Sequence, residues 1–399
     1  MKVLVLNCGS SSIKYKLYAM ETENELASGI VERIGMKEGG FKYKNASSKE
    51  LKISPPIPTH TDGLDLLFQY LSDDEYGVIT SVDEIDVVGH RVVHGGENFE
   101  ASVVIGQHVL DEIENCIPLA PLHNPANLQG IHACINKMPK TPQVAVFDTA
   151  FHQTIPQQNY IYPLPYELYE EGKIRRYGFH GTSHRYVANE CAKLLKRPLQ
   201  ELKIVTCHLG NGSSICAVKN GKSFDTTMGF TPLAGVEMGT RCGDIDPFIP
   251  LYLQKNYSMS IEEVDDLMNK QSGFLGVTGL SSDLRDVTEK AKENHTRCLL
   301  SLDILSYQVK KYVGAYAAEM NGLDAVVFCG GVGENTEEVR EISMKNMDIF
   351  GIELDDDRNF PHARVTREIS TDSSPVKVYV IFTNEEIMIA RDAVMLCGK

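Results

Sequence analysis

The sequence lacks the features that mark membrane-spanning and repetitive proteins. No uninterrupted apolar stretch approaches the about 20 residues that span a bilayer, and no segment is low in complexity. The ten cysteines include no Cys-x-x-Cys pair and no regular spacing. Four of them lie in apolar runs and are expected to be small core residues: Cys134, Cys207, Cys216 and Cys329. Because a strand begins at once, with no signal peptide ahead of it, we expect the reduced cytoplasm as the location.

The sequence is also poor in positive charge. Its 39 lysines and arginines stand against 54 aspartates and glutamates, which gives a formal net charge of −15. So acidic a surface argues against nucleic acid or an anionic membrane as the main partner. Any site for an anion must therefore be built from local positive charge.

The length and the element pattern predict two α/β domains. At 399 residues the chain exceeds one ordinary core, and its 42% hydrophobic and 23% charged residues are ordinary for a globular protein. Apolar strands alternate with helical segments, among them one long helix predicted over residues 289–320. Prolines, a tyrosine cluster and a Gly-Lys turn interrupt the pattern from 151 to 176, so we place a domain boundary near residue 150.

Two similar Gly/Ser turns lie about half a chain apart. Residues 3–6 lead into Asn7-Cys8-Gly9-Ser10-Ser11-Ser12, and residues 204–207 lead into His208-Leu209-Gly210-Asn211-Gly212-Ser213. Each is typical of a buried strand, a tight polar turn and a second strand. Glycine lets backbone N–H groups approach an anion, and serine and asparagine add short donors. The repetition predicts a duplicated domain that binds a polyphosphate in a central cleft, as in a phosphotransferase or an ATPase.

Two charged side chains end predicted buried strands. Arg91 lies near the end of the strand over residues 86–93, where an arginine is more often a fixed anion clamp than a solvated charge. Asp148 ends the strand over residues 143–148, and carboxylates at such strand ends face the ligand cleft of open α/β sheets. For Asp148 an N-cap or a solvated loop position is an equal alternative.

Three further segments have the composition of functional loops. His180 lies between glycines just before a helix, where anions bind favourably. The aperiodic, Gly-rich and charged segment over residues 235–246 contains Arg241, a second candidate clamp. Gly330-Gly331-Val332-Gly333 follows a strand and precedes a helix, but lacks the full dinucleotide fingerprint, so NAD binding is not supported.

Two motifs are better explained by local structure. Gly221-Lys222-Ser223 resembles the end of a P-loop, but the required earlier glycine is missing, and Asn220-Gly221 predicts a type I′ hairpin turn. His90 and His94 have the i, i+4 spacing of a helical zinc pair. Their neighbours are strand-like, so a metal site there is not expected.

The motifs match one known family in order. They occupy residues 7–14, 89–96, 147–152, 177–184, 208–214, 238–246, 330–335 and 383–386. Together they resemble the acetate kinase family, within the superfamily of acetate and sugar kinases, heat-shock chaperones and actin. The resemblance implies duplicated ribonuclease-H-like (actin-like ATPase) domains around a central cleft. The N-terminal domain would be residues 1–150 plus 386–399. The C-terminal domain, residues 151–385, would carry most of the nucleotide site and a homodimer interface.

The resemblance also implies an activity and roles for individual residues. ATP would transfer its γ-phosphoryl group to acetate, giving acetyl phosphate and ADP, with Mg²⁺ or, in its place, Mn²⁺. Asn7 and Glu385 would hold the metal, Ser10, Ser12 and Lys14 would lie near the phosphates, and Arg91, Asp148, His180 and Arg241 would be catalytic. Val93, Leu122, Phe179 and Pro232, with Arg91, would bind acetate. The nucleotide would contact His208, Leu209, Gly210, Asn211, Gly212, Asp283, Leu284, Arg285, Gly331, Val332, Gly333, Glu334 and Asn335.

Several alternatives remain beside this interpretation. A branched-chain or butyrate kinase is the most similar alternative, because one methylene is worth only about 1–3 kcal/mol of discrimination between acids. An ATP-switch protein would share both phosphate turns but would not need two arginines and a histidine around an apolar pocket. A sugar kinase would need polar side chains and a carboxylate base in that pocket. A pyrophosphate-using relative is disfavoured by the nucleotide motifs.

Overall fold

The chain folds into two compact units in the computed structural model, which describes residues 1–360 and 365–398. Unit 1 comprises Met1–Gln153 with Asn384–Lys399, and unit 2 comprises Thr154–Thr383. The boundaries expected from the sequence, after residue 150 and before residue 386, lie a few residues from these. Residue 399, the end of the expected N-terminal domain, lies outside the described residues.

Unit 1 begins with an antiparallel meander and continues with strands separated by helices. Its elements up to the unit boundary are β1 (Lys2–Gly9), β2 (Ser12–Ala19), β3 (Asn24–Glu32), β4 (Gly40–Asn45), β5 (Glu50–Ile53), α1 (His60–Leu71), β6 (Val87–Val92), β7 (Val103–Val104), α2 (Gln107–Asn115), α3 (Asn124–Lys137) and β8 (Gln143–Phe147).

Unit 2 repeats this plan with more helices. Its elements are α4 (Gln157–Tyr160), α5 (Glu167–Gly172), α6 (Gly181–Leu195), β9 (Lys203–His208), β10 (Ser214–Lys219), β11 (Lys222–Thr226), α7 (Ile249–Tyr257), α8 (Ile261–Lys270), α9 (Gly273–Thr278), α10 (Leu284–Lys292), α11 (Thr296–Met320), β12 (Ala325–Cys329), α12 (Gly330–Asn335), α13 (Glu337–Met344), α14 (Asp356–Asn359), β13 (Arg367–Glu368) and β14 (Lys377–Val380). The chain then returns to unit 1 with α15 (Glu385–Cys397).

The two sheets share one strand arrangement. The order is β5-β4-β3-β2-β1-β6-β8-β7 in unit 1 and β11-β10-β9-β12-β14-β13 in unit 2. Each sheet begins with an antiparallel meander, of five strands in unit 1 and three in unit 2. Two strands parallel to the first strand of the meander follow, and a two-residue antiparallel strand lies at the edge. The predicted duplicated α/β fold is therefore confirmed, with each Gly/Ser turn joining the first two strands of its sheet.

Several local predictions from the sequence are confirmed. Asn220 and Gly221 have φ of 54° and 81°, the positive values that a type I′ turn requires between β10 and β11. His90 lies in β6 and not in a helix. The four cysteines predicted to lie in the core are all buried.

One helix prediction was wrong. The segment over residues 289–320 is not one helix, because α10 ends at Lys292 and α11 begins at Thr296. Asn294 between them has φ of 63°, and the His295 side chain caps α11 by accepting a hydrogen bond from the N–H of Cys298. The helical spacing of apolar residues continues across this short break, so periodicity alone cannot reveal it.

No helix in the described part of the chain is long and apolar enough to cross a membrane.

The buried residue Glu237 attaches the loop that contains Arg241 to α11 through hydrogen bonds. Glu237 is 2% exposed, and its Oε1 accepts a hydrogen bond from Ser301 Oγ of α11 at 3.0 Å. Its backbone N–H donates to Gln308 Oε1 at 2.6 Å. Burial raises the pKa of Glu237 to about 7, since the charged form loses its hydration. The folded state therefore binds a proton in a pH range where the unfolded chain has released it.

Replacing Glu237 with glutamine is expected to change the pH dependence of stability. Because the pKa of Glu237 is higher in the folded state, its contribution to the free energy of unfolding falls as pH rises from about 4.5 to about 7. The full difference is on the order of 3 kcal/mol. Urea denaturation should show that the free energy of unfolding falls less between pH 5 and pH 8 in Glu237→Gln than in the wild type. The exposed Glu341→Gln should behave as the wild type, and an unchanged pH slope in Glu237→Gln would contradict the assignment.

Candidate active site

The register of the first sheet brings four predicted site residues to one place. Side chains alternate between the faces of a strand, and Val5 is paired with Gly89, so Asn7 and Arg91 share a face at the ends of β1 and β6. Arg91 is paired with Val146, so Asp148 continues the same face just beyond β8. Helix α15 covers this face: a Cβ on Gly89 would lie 2.6 Å from Ile389 Cγ2. Glu385 is the first residue of that helix.

Arg91 binds both carboxylates of this group. Its Nε and Nη2 donate to Asp148 Oδ1 and Oδ2 at 2.9 and 2.6 Å, a bidentate pair. Its Nε also lies 3.8 Å from Glu385 Oε2. The side chain of Asp148 is 3% exposed, so the alternative of a solvated loop residue is wrong. The pair leaves Nη1 of Arg91 without a hydrogen bond to any described group.

The electrostatics of the group are those of charges removed from water. Burial alone would lower the pKa of Arg91, but Asp148 and Glu385 outweigh burial and raise it. Burial raises the pKa of Glu385 to about 7, and the nearby Asp148 adds to that increase while Arg91 opposes it. Two carboxylates therefore share one guanidinium, and a further cation would stabilise the ionised form of Glu385.

The donor set of unit 1 fits a hard divalent cation. Asp148 and Glu385 supply carboxylate oxygens and Asn7 an amide oxygen, which are the ligand types that Mg²⁺ takes alongside water and phosphate oxygens. No described group of three or more His, Cys, Asp or Glu side chains could hold a metal ion by itself. A cation here would therefore complete its shell with water and a bound phosphate.

Two buried asparagines of α3 hold the segment that follows Arg91, and sequence reasoning missed both. Asn127 Oδ1 accepts from the N–H of Val93 at 3.1 Å, and its Nδ2 donates to the carbonyl of Cys8 at 2.7 Å. Asn124 bonds the N–H and the carbonyl of His94. Their spacing of three places both on one helix face, and that was the signal available in the sequence. They fix Val93, which is half-buried, whereas Leu122 is 70% exposed.

The first Gly/Ser turn is accessible. Ser10 is exposed, and Ser12 is half-buried at the start of β2. Lys14 is exposed and directly opposite Asn7 across the β1–β2 ladder. This places a lysine and two hydroxyls beside the strand end that carries the predicted metal ligand.

In unit 2 the second Gly/Ser turn meets His180 and Arg241. A Cβ added to Gly212 would lie 3.5 Å from Arg241 Nη1 and 3.6 Å from His180 Nε2, so glycine leaves the space beside both side chains open. Asn211 packs against the Arg241 loop, where a Cβ on Gly239 would lie 2.0 Å from its Oδ1. The structure therefore brings together three segments that are separate in the sequence.

His180 is held by a network of side chains. It precedes α6 with φ of 57°, and its Nδ1 bonds Ser214 Oγ at 2.9 Å. His184 Nε2 bonds the same hydroxyl at 2.8 Å, and the His208 ring stacks on His180 with centroids 4.3 Å apart. His208 Nδ1 bonds Ser183 Oγ at 2.8 Å. The His208 ring therefore packs directly against His180, and its contact with a nucleotide stays a prediction.

Arg241 differs from Arg91 in having no carboxylate partner among residues 1–360 and 365–398. Its Nη1 donates to the carbonyl of Pro232 at 3.1 Å and lies 3.6 Å from Met238 Sδ. Burial lowers the pKa of Arg241. A half-buried guanidinium beside a glycine and a histidine, without an ion pair, is suited to bind an anion. Phe179, next to His180, is 3% exposed, and Pro232 is half-buried.

A cavity of about 610 Å³ in unit 2 collects most of the predicted nucleotide residues. Its lining includes Gly210, Asn211, Asp283, Leu284, Arg285, Gly331, Val332 and Asn335. His208, Leu209, Gly212, Gly333 and Glu334 are not in the lining, and Leu209 is fully buried. Sequence reasoning missed three lining residues that belong to no motif: Ser282 and Thr336, which adjoin predicted segments, and Phe274, which lies in α9.

Alanine at position 331 is expected to weaken binding in this cavity without loss of stability. A Cβ on Gly331 would meet no atom within 4 Å, and α12 tolerates alanine, so the methyl group enters only the ligand space. We expect the KM for ATP to rise about tenfold, equivalent to about 1.4 kcal/mol, in steady-state kinetics. Gly106→Ala is the matched control, since its Cβ also meets nothing. An unchanged KM in Gly331→Ala would exclude the cavity as the nucleotide site.

Comparisons with known proteins agree over the whole chain. The model of the Acetokinase family matches residues 2–391. The acetate kinase of Clostridium botulinum (strain Alaska E43 / Type E3) is 54% identical over 397 residues, covering 99% of this chain and 100% of that protein. The crystal structure of Porphyromonas gingivalis acetate kinase has a TM-score of 0.95 at 46% identity, and that of a propionate kinase from Francisella tularensis subsp. tularensis SCHU S4 has 0.92 at 41%. Each covers 99% of both chains. The chain belongs to the Acetokinase family.

Proposed function

We propose that this protein is an acetate kinase, which transfers the γ-phosphoryl group of ATP reversibly to acetate and gives acetyl phosphate and ADP. The family and its acetate kinase relatives support the activity. The observation that carries it is the unpaired guanidinium of Arg241 beside Gly212 and His180. Phosphoryl transfer needs alignment and charge neutralisation more than covalent help from the protein.

Unit 1 would bind acetate and the metal. Arg91, oriented by its bidentate pair with Asp148, has Nη1 left to bind the acetate carboxylate, and Val93 and Leu122 would contact the methyl group. Asn7 and Glu385, with Asp148 beside them, would hold Mg²⁺, or Mn²⁺ in its place. When bound, the metal supplies charge neutralisation to the phosphate oxygens. Ser10, Ser12 and Lys14 would bind phosphate from the first turn.

Unit 2 would bind the nucleotide and the transferring group. The cavity lined by Gly210, Asp283 and Gly331 has the size for an adenosine phosphate. Arg241 and His180 would stabilise the transferring phosphoryl group, with His180 held by Ser214 and His208. Phe179 and Pro232 would complete the apolar contacts to the acyl group. Acetate is already ionised at neutral pH, so direct in-line transfer needs no general base.

Two further properties belong to this proposal. Unit 2 exposes large apolar side chains on and around α7 and on α11, including Phe248, Leu251, Tyr257, Ile261 and Tyr307, each at least 56% exposed. Large exposed apolar side chains close together in the chain, from Phe248 to Ile261, are typical of protein interfaces, which supports a homodimer formed through unit 2. All ten cysteines are free thiols and most are buried, which supports a reducing, cytoplasmic location.

Loss of either arginine should abolish transfer by different routes. Arg241→Ala removes the unpaired cation, and Arg91→Ala also leaves Asp148 without its partner. Each should reduce the rate of acetyl phosphate formation, trapped with hydroxylamine, by about 10³–10⁵. Arg197→Ala, which breaks an exposed pair with Asp324, is the matched control. ATP hydrolysis with no acyl phosphate from formate, acetate, propionate or butyrate would favour an ATP-switch protein.

Truncation of Val93 should shift the choice of acid. Val93 is fixed through its N–H to Asn127, so Val93→Ala adds space at a constant backbone position. We expect kcat/KM for propionate and butyrate to rise relative to acetate by about 10-fold or more, the scale of one or two methylenes. Val104→Ala, an exposed valine of the same unit, should leave the ratio unchanged. A wild-type optimum at propionate would keep the mechanism and change the substrate.

A further inference from the structure

A tyrosine between α4 and α5 is used by none of the roles assigned so far. Tyr162 is half-buried, and its hydroxyl accepts a hydrogen bond from the backbone N–H of Phe230 at 3.0 Å. The neighbouring Gly229 makes room for it, because a Cβ there would lie 2.3 Å from the Tyr162 hydroxyl. The phenol therefore occupies the place where any other residue at 229 would carry its side chain.

The segment anchored by Tyr162 leads directly to Arg241. Two residues after Phe230, the carbonyl of Pro232 accepts the hydrogen bond from Arg241 Nη1 at 3.1 Å. Within the described chain, the other polar contact of this guanidinium is Met238 Sδ at 3.6 Å. The position of the Pro232 carbonyl therefore decides where the cation points.

The opposite side of the same segment is tied to the residues that lead into His180. The N–H groups of Tyr177 and Gly178 both donate to the carbonyl of Gly229, at 3.0 and 3.3 Å. The segment over residues 229–232 is thus held between the backbone of Tyr177 and Gly178 and the Tyr162 hydroxyl. Loss of the hydroxyl would release the Phe230 side alone and let the Pro232 carbonyl move.

We propose that Tyr162 is a positioning residue for Arg241, acting through Phe230 and Pro232. The kinetic test of this inference rests on the proposed function. The inference itself concerns only the position of the Arg241 guanidinium. The Tyr162 hydroxyl bonds the backbone N–H of Phe230, so its effect on Arg241 would pass through the backbone of the segment over residues 229–232.

Tyr162→Phe tests this, because it removes the hydroxyl and keeps the ring. We expect kcat/KM for acetate to fall about 10- to 100-fold, the scale of a 1 Å misplacement of a catalytic group. The KM for ATP should not change, since the nucleotide cavity does not include this segment. Tyr166→Phe is the matched control: its hydroxyl, nearby on the chain, accepts only from Gln157 Nε2 among described groups.

A double-mutant cycle separates positioning from a general structural role. In an Arg241→Ala background, Tyr162→Phe should cause no further loss, because the group it positions is absent. Equal losses in both backgrounds would overturn the proposal, as would wild-type kinetics in Tyr162→Phe.

Calorimetric titration with inorganic phosphate gives a readout independent of turnover. The wild type should bind phosphate, Arg241→Ala should bind it weakly, and Tyr162→Phe should lie between them. If the wild type forms no acyl phosphate, the proposed function fails, while this titration still decides the role of Tyr162. Equal phosphate affinity in Tyr162→Phe and the wild type would refute the positioning role.

Discussion

The bidentate pair of Arg91 with Asp148 is the interaction on which the candidate site of unit 1 depends. Both groups lie at the carboxyl ends of parallel strands, the edge of an open α/β sheet at which ligands bind. Burying either charge alone would cost several kcal/mol, so each is stable there only because the other is present. The pair also fixes the guanidinium plane and leaves one edge for a ligand. Glu385 joins from α15 and brings the negative charge that a metal would balance.

The two units share one strand arrangement but differ in the charges that surround their arginines. In unit 1 two carboxylates face one guanidinium, so the group has a net negative charge when both are ionised, which favours a metal cation. In unit 2 the cation has no described carboxylate partner, and glycine keeps the space beside it open. A duplicated fold can diverge in this way because the strand order fixes where side chains lie, whereas the loop sequences determine which side chains lie there. Under the proposed function, unit 1 would bind the acceptor and unit 2 would stabilise the transferred group.

Much of the support for these groups comes from neutral side chains. Asn124 and Asn127 hold the segment after Arg91, Ser214 holds His180, and Tyr162 holds the segment that receives Arg241. These contacts are hydrogen bonds to backbone or to imidazole, and most are shielded from water. Neutral partners orient a charged group without neutralising it, which preserves its field for the ligand.

The sequence by itself determined the fold class and the duplication, and it singled out the charged residues of the candidate site. Alternating apolar strands, repeated Gly/Ser turns and strand-terminal Arg91 and Asp148 are local patterns, because period and turn chemistry act over a few residues. The tertiary structure alone decided that Arg91 is paired with carboxylates while Arg241 has no carboxylate partner in the described part of the chain, and that His208 stacks on His180. It also placed Asn127 and Tyr162, which belong to no motif. It corrected the helix over residues 289–320 as well, where a short break at Asn294 leaves the apolar period in phase. Contacts between residues distant in the chain depend on register and packing across elements, and no local pattern encodes them.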